Sequence, residues 1–159
     1  IFAKTSKALS RMNNKLKNRQ IRKLYWLFVS NKFKSNEGKI EGWFKKNKKI
    51  NKSFFSKEEI NNSKHGSLKY RIIEKLEKYL KIEVDLETGR HHQIRCSFSE
   101  IGFPIIGDLK YGSKRSNKDG GIYLHSRKVN FIHPVSKEEI IIKAVPPKSG
   151  LWSTYPSVS

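Results

Sequence analysis

The stretch Leu24-Tyr25-Trp26-Leu27-Phe28-Val29 is apolar at odd and even positions alike, the pattern of a strand covered on both faces rather than one with a wet side. It predicts a central strand, and the rest of the chain tells how the sheet around it is completed. Leu68-Lys69-Tyr70-Arg71-Ile72 is followed by Leu80, Ile82, Val84 and Leu86 alternating with Lys81, Glu83 and Asp85, which predicts a strand with one solvated face. The short Lys- and Glu-rich segment between them makes an antiparallel hairpin the economical connection. Residues 122–131 and 139–145 predict two more strands, joined through Pro134-Val135-Ser136-Lys137 and ended by Pro146-Pro147. Strands outnumber helices and there is no internal repeat. The expected class is α+β, a mainly antiparallel mixed sheet with a few flanking helices.

Two helices are expected. From Thr5 or Ser6 as N-cap, Ala8, Leu9, Met12 and Leu16 recur at helical spacing against Lys7, Arg11, Lys15 and Lys17, an amphipathic helix of about three turns. Ile94, Phe98 and Ile101 form a second helical pattern, which Gly102 ends. Residues 1–5 read as a strand end delivering into the first helix. Residues 31–64 change character: the run Lys45-Lys46-Asn47-Lys48-Lys49 and scattered apolar positions suggest a basic, largely exposed connection with a short strand near residues 39–44. Gly107-Asp108 and Tyr111-Gly112 mark a tight loop, and residues 113–121 a flexible one.

Of 159 residues, 34 are Lys or Arg and 14 are Asp or Glu, a formal charge of +20, with 36% hydrophobic residues to build one core. Such an excess suits a polyanion, because each neutralised phosphate releases a condensed counterion. RNA or DNA is therefore the first expectation, set against a compositional bias towards Lys and Asn that serves no function. No basic helix has the wide apolar face needed to lie on a membrane, and no apolar run reaches the roughly 18–20 residues that span one. The single cysteine, Cys96, cannot form an internal disulfide, which fits a reducing compartment, with cytoplasm as the default.

The densest polar cluster is Arg90-His91-His92-Gln93-Ile94-Arg95, at the junction of a strand, a Gly-containing loop and a helix start. That location suits an anion; a solvated basic helix start is the plainer alternative. His92 and Cys96 stand four residues apart, as two metal ligands could, but zinc sites want three or four, and only the isolated His65, His125 and His133 remain. No metal is expected. Asp108 is the carboxylate in the most constrained loop; capping nearby amides is the expected role and a nucleophile the alternative.

Several ordered motifs carry a resemblance. Thr88-Gly89-Arg90-His91-His92-Gln93-Ile94-Arg95, then Gly102-Phe103-Pro104-Ile105-Ile106-Gly107-Asp108 and Tyr111-Gly112, then Leu124-His125 and Phe131-Ile132-His133-Pro134 resemble the RluA-type RNA pseudouridine synthases. Upstream, Ala3-Lys4-Thr5 and Lys23-Leu24-Tyr25 resemble the segment leading to that family's active-site tyrosine. His91 departs from the pattern, where a threonine is common.

The resemblance implies isomerisation of uridine to pseudouridine in ribosomal RNA or tRNA, without metal or organic cofactor. It implies that Tyr25 stacks on the uracil and takes part in proton transfer, that Ile94 packs against the target nucleotide, and that Arg95 pairs with the catalytic aspartate. Arg90, His92 and Gln93 are expected to contact substrate. Without the resemblance, Tyr25 and Ile94 would read as core residues. The aspartate belongs to an Arg-Leu-Asp motif upstream of the part matching residues 1–5, so residues 1–159 are expected to be the C-terminal portion of one catalytic domain. An inactive RNA-binding module of the same fold is the alternative. The basic stretch 45–52 is expected to touch RNA phosphates, and a monomer is the default state.

Overall fold

The computed structural model describes residues 2–154. Helix α1 (Ser6–Lys17) starts where the spacing predicts, with the Thr5 side chain accepting from the Ala8 amide at 3.1 Å. None of its residues is buried, and Leu9 and Leu16 are half exposed. Residues 2–5 form no strand and Phe2 is fully exposed, which corrects the expected strand end; Ile1 lies outside the described residues.

Strand β1 (Ile21–Ser30) is followed by β2 (Glu37–Asn47), β3 (Lys52–Ser56), β4 (Lys64–Lys75), β5 (Tyr79–Leu86), helix α2 (Gln93–Glu100), β6 (Leu124–Ile132) and β7 (Glu139–Lys143). The described strands form one sheet in the order β3-β2-β4-β5-β1-β6-β7. All its pairings are antiparallel, so within the described residues the sheet is not mixed. β1 pairs with β5 on one side and β6 on the other, as its two-sided apolarity requires.

Alternation along β1 separates two cores. Leu27 and Val29 point to the face covered by α2, where they join Ile82, Val84, Leu68, Ile94 and Phe98. Trp26 and Phe28 point to the other face and meet Trp152. Full burial of each such side chain contributes about 1.5–3 kcal/mol. The register of β1 against β6 shifts between Leu24 and Tyr25, which face Lys128 and Ser126. Arg127 is thus left as the extra residue of a bulge beside Tyr25, a device that re-aims neighbouring side chains.

Residues 31–64 are largely exposed as expected, but the short strand expected near residues 39–44 is extended to two paired strands. β2 is eleven residues long, and β3 pairs back on it. Its alternation, Ile40, Gly42 and Phe44 buried, is masked in sequence because Gly42 supplies no side chain; the Phe55 ring lies where its Cβ would project.

α2 ends as the pattern requires. Gly102 adopts φ +83°, its amide bonds Ser99 O at 3.0 Å and the Phe103 amide bonds Phe98 O at 2.9 Å, the paired bonds of a left-handed C-terminal cap.

Candidate active site

The loop between β5 and α2 is built on Gln93. Its side chain is 2% exposed; Oε1 accepts from Thr88 Oγ1 at 2.8 Å and the Arg90 amide at 2.9 Å, and Nε2 donates to Ser67 O at 3.1 Å. Gln93 therefore clamps the loop to β4 from inside, which corrects the expectation that it faces substrate. Ile94, 5% exposed, is also turned inward, into the main core. Tyr25 packs against that same core, half-buried, so β1 and α2 bring Tyr25 and Ile94 to one face. The Tyr25 hydroxyl has no hydrogen-bond partner among the described residues.

Arg95 is the hub. Its Nε donates to Asp108 Oδ2 and its Nη2 to Asp108 Oδ1, both at 2.7 Å. The Asp108 side chain is 1% exposed and makes no capping bond to the short 3₁₀ turn Leu109–Tyr111 that it precedes, so the expected capping role is replaced by an ion pair. The Asp108 bonds hold the Arg95 pKa above its ordinary value. Nη1 lies 3.2 Å from His92 Nε2. Because a guanidinium only donates, His92 must accept there and carry its proton on Nδ1, which sits 3.1 Å from Tyr111 Oη. The Tyr111 hydroxyl also accepts from the Ser53 amide at 2.7 Å, and its ring lies 4.9 Å from the Arg95 guanidinium carbon. Burial, then the charges of Arg95, His91 and Lys110, push the His92 pKa down to about 4.

Three of the five N–H groups of Arg95 are thereby used. One remains on each terminal nitrogen, and the side chain is 19% exposed. The arrangement is a partly exposed cation fixed by one buried carboxylate and one imidazole, with an N–H left over on each terminal nitrogen.

His92 itself adopts φ 50° as N-cap of α2, a left-handed backbone that costs a non-glycine residue about 1 kcal/mol or more. Its ring stacks on His91 at 3.9 Å. His91 ties the loop to β3 and the turn before it: Ser53 Oγ donates to His91 O at 2.6 Å and lies 2.9 Å from Nδ1, and Asn51 Oδ1 lies 3.0 Å from Nε2. Arg90 Nε donates to His65 O at 2.7 Å, across Gly66. A Cβ on Gly66 would sit 2.9 Å from the Phe44 ring and 3.1 Å from Arg90 Cγ, so only glycine lets both pass over β4.

The metal reading of His92 and Cys96 loses its ligands. Both His92 nitrogens are engaged, and the Cys96 thiol donates to Ser53 O at 3.3 Å with its pKa pushed up to about 11 by burial. No group of three or more candidate metal-binding side chains occurs among the described residues, and none of the described helices is long and apolar enough to cross a membrane. Sequence reasoning missed Tyr111 and Ser53 as members of the site; the tyrosine hydroxyl meets a backbone 58 positions away, which no local pattern signals.

An antiparallel α+β domain with an arginine-centred basic site on the α2 face defines the class. Residues 1–100 match the RNA pseudouridylate synthase family, and the chain belongs to that family. It is 30% identical over 148 residues to the uncharacterized RNA pseudouridine synthase YlyB of Bacillus subtilis (strain 168), covering 93% of this chain and 48% of the relative. It is 29% identical over 151 residues to ribosomal large subunit pseudouridine synthase C of Vibrio parahaemolyticus, covering 91% and 46%. The chain thus spans about half the length of the curated relatives it matches. The fold is that of human RNA pseudouridylate synthase domain containing 1, with a TM-score of 0.72 at 20% identity over 92% of this chain and 62% of that one.

Proposed function

We propose that the protein is an RNA pseudouridine synthase that isomerises uridine in ribosomal RNA or tRNA. The supporting observation is Arg95: fixed by Asp108 and His92, it keeps one N–H on each terminal nitrogen for a further carboxylate. The family resemblance implies a catalytic aspartate as the carboxylate that these two N–H groups receive. Arg95 holds it ionised and aimed, since an adjacent fixed cation favours the charged form. Tyr25, on the same sheet face as α2, supplies an aromatic seat for the flipped uracil and a hydroxyl free to move a proton at the base. Arg90 and His92 are the further residues assigned to substrate, and Gln93 holds the loop that presents them.

In the reaction the bond from C1′ to N1 breaks, the uracil turns, and C1′ bonds to C5. The C5 hydrogen leaves as a proton and N1 gains one, so no external reactant is consumed and no metal or cofactor is called upon. The protein acts as a monomer in the cytoplasm, a setting that suits its single, free, buried cysteine.

The test is tritium release from RNA labelled at uridine C5, using the full-length protein. Release that is lost in Arg95→Ala supports the assignment. RNA bound without release from any uridine would reject it in favour of an RNA-binding module.

A further inference from the structure

The Gly89–Arg90 turn stands between two basic concavities. One, of about 260 Å³, is lined by Lys46, Lys64, Arg90 and His91. The other, of about 440 Å³, is lined by Lys17, Arg19, Lys23 and again Arg90. Gly89 and Arg90 line both.

These cations are not neutralised within the chain. Among the described residues, the side chains of Lys17, Arg19, Lys23, Lys46 and Lys64 make no hydrogen bond or ion pair, and Arg90 uses only its Nε, on His65 O, leaving both terminal nitrogens open. The carboxylates of the sheet lie on the opposite face, where Asp85, Glu83, Glu41 and Glu74 already neutralise Arg22, Arg71, Lys39 and Lys81. Glu87, the one carboxylate lining the larger concavity, is held by Lys69 at 3.0 Å and Ser67 at 2.7 Å.

Two further observations agree with an unneutralised positive field beside the turn. Lys23 is half-buried with no acid to offset its desolvation, which lowers its pKa. His91 feels Lys46, Arg95 and Lys110 together, and these charges add to burial in depressing its pKa. An uncompensated positive field in a recess is a standing cost that a bound phosphate removes. Arg90, whose planar guanidinium binds phosphate through paired N–H groups, is held over the ridge by its bond to β4.

We propose that the Gly89–Arg90 turn seats consecutive phosphodiesters of the substrate RNA, one in the recess of Lys46, Lys64 and His91 and the next in that of Lys17, Arg19 and Lys23, with Arg90 reaching both. The ridge lies on the loop that leads into α2, the helix that carries Arg95. The track rests on the reading of this protein as an RNA-modifying enzyme, and it places RNA binding at the sheet end that carries the loop rather than along the whole lysine-rich surface.

The full chain, its K46Q/K64Q and K17Q/K23Q variants and the control K75Q/K78Q are titrated with a fluorescein-labelled single-stranded oligouridylate at several KCl concentrations. Lys75 and Lys78 flank the turn at the other end of β5 and are equally cationic. Each ridge variant should bind about 3- to 10-fold more weakly, with the slope of log K against log salt reduced by about 0.7 for each phosphate no longer neutralised. The control should match wild type, and thermal unfolding checks that every variant is folded; K46Q/K64Q alters only exposed positions. Wild-type binding with unaltered ridge variants, or an equal loss in the control, overturns the track and leaves the enzymatic reading standing. No salt-dependent RNA binding by the wild type would overturn both.

Discussion

Arg95 grips Asp108 through two parallel hydrogen bonds of 2.7 Å, although the carboxylate is 1% exposed. Both oxygens of Asp108 are engaged by Arg95, so the carboxylate fixes the guanidinium. Removing one partner leaves a buried charge uncompensated. Asp108→Ala should lower stability by about 2–4 kcal/mol and reduce turnover, with smaller loss in RNA affinity. Urea unfolding and tritium release read the two effects; a stability change under about 0.5 kcal/mol would show the pair to be dispensable.

Arg95→Ala is expected to abolish turnover while RNA binding persists, because the basic ridge is untouched. In a double-mutant cycle with Asp108→Ala, the second substitution should cost far less than the first, since the orphaned charge is then gone. Additive losses would mean the two act separately.

His92 gives a pH dependence with a definite sign. Its neutral ring accepts from Arg95, and its pKa is depressed to about 4 by burial and neighbouring cations. The unfolded residue takes its proton near 6.5, so between about 6.5 and 4 the unfolded state binds more protons and stability rises with pH. The His92 contribution should be constant above pH 7, fall as pH drops from about 6.5 to about 4, and change no further below that. His91 is lowered by burial too and adds in the same direction. His92→Asn, a residue that tolerates φ 50°, should shallow the acid-side slope of urea midpoints; an unchanged slope would assign the effect to His91 and other groups.

Tyr25→Phe removes a hydroxyl without a partner among the described residues and keeps the ring against the core. Stability should stay within about 0.5 kcal/mol of wild type, RNA affinity should be kept, and turnover should drop. Full turnover would confine Tyr25 to stacking.

Gln93→Ala leaves the Arg90 amide without its partner and takes one bond each from Thr88 Oγ1 and Ser67 O, which keep their bonds to each other. About 1–3 kcal/mol of stability should go, with RNA affinity falling because the ridge loses its clamp. Calorimetric unfolding and the binding titration check it.

What could be read in the sequence was what repeats locally. The unbroken apolarity of residues 24–29 placed β1 in the centre, and Ile94, Phe98 and Gly102 outlined α2. β2 was read only in its middle because glycines stand where rings from neighbouring strands fill the face, Tyr70 over Gly38 and Phe55 over Gly42, so the alternation has gaps, and β3 was not read. At the site, the family motif pointed to Arg95 and Tyr25, but their surroundings depend on residues distant in sequence. Asp108 was visible as a constrained carboxylate, yet its role depends on a guanidinium from another element. Gln93 sits within a polar run, and nothing in the run shows that it alone turns inward.

β1 is flanked by β5 and β6, both encoded well after it, with Leu27 opposite Leu124. During synthesis at roughly 5–20 residues per second, the most apolar strand of the chain must wait several seconds for its second neighbour. In that interval its backbone groups and its large side chains have no native cover. The nascent chain is therefore most exposed to aggregation, and most in need of a holding chaperone, before β6 has left the ribosome.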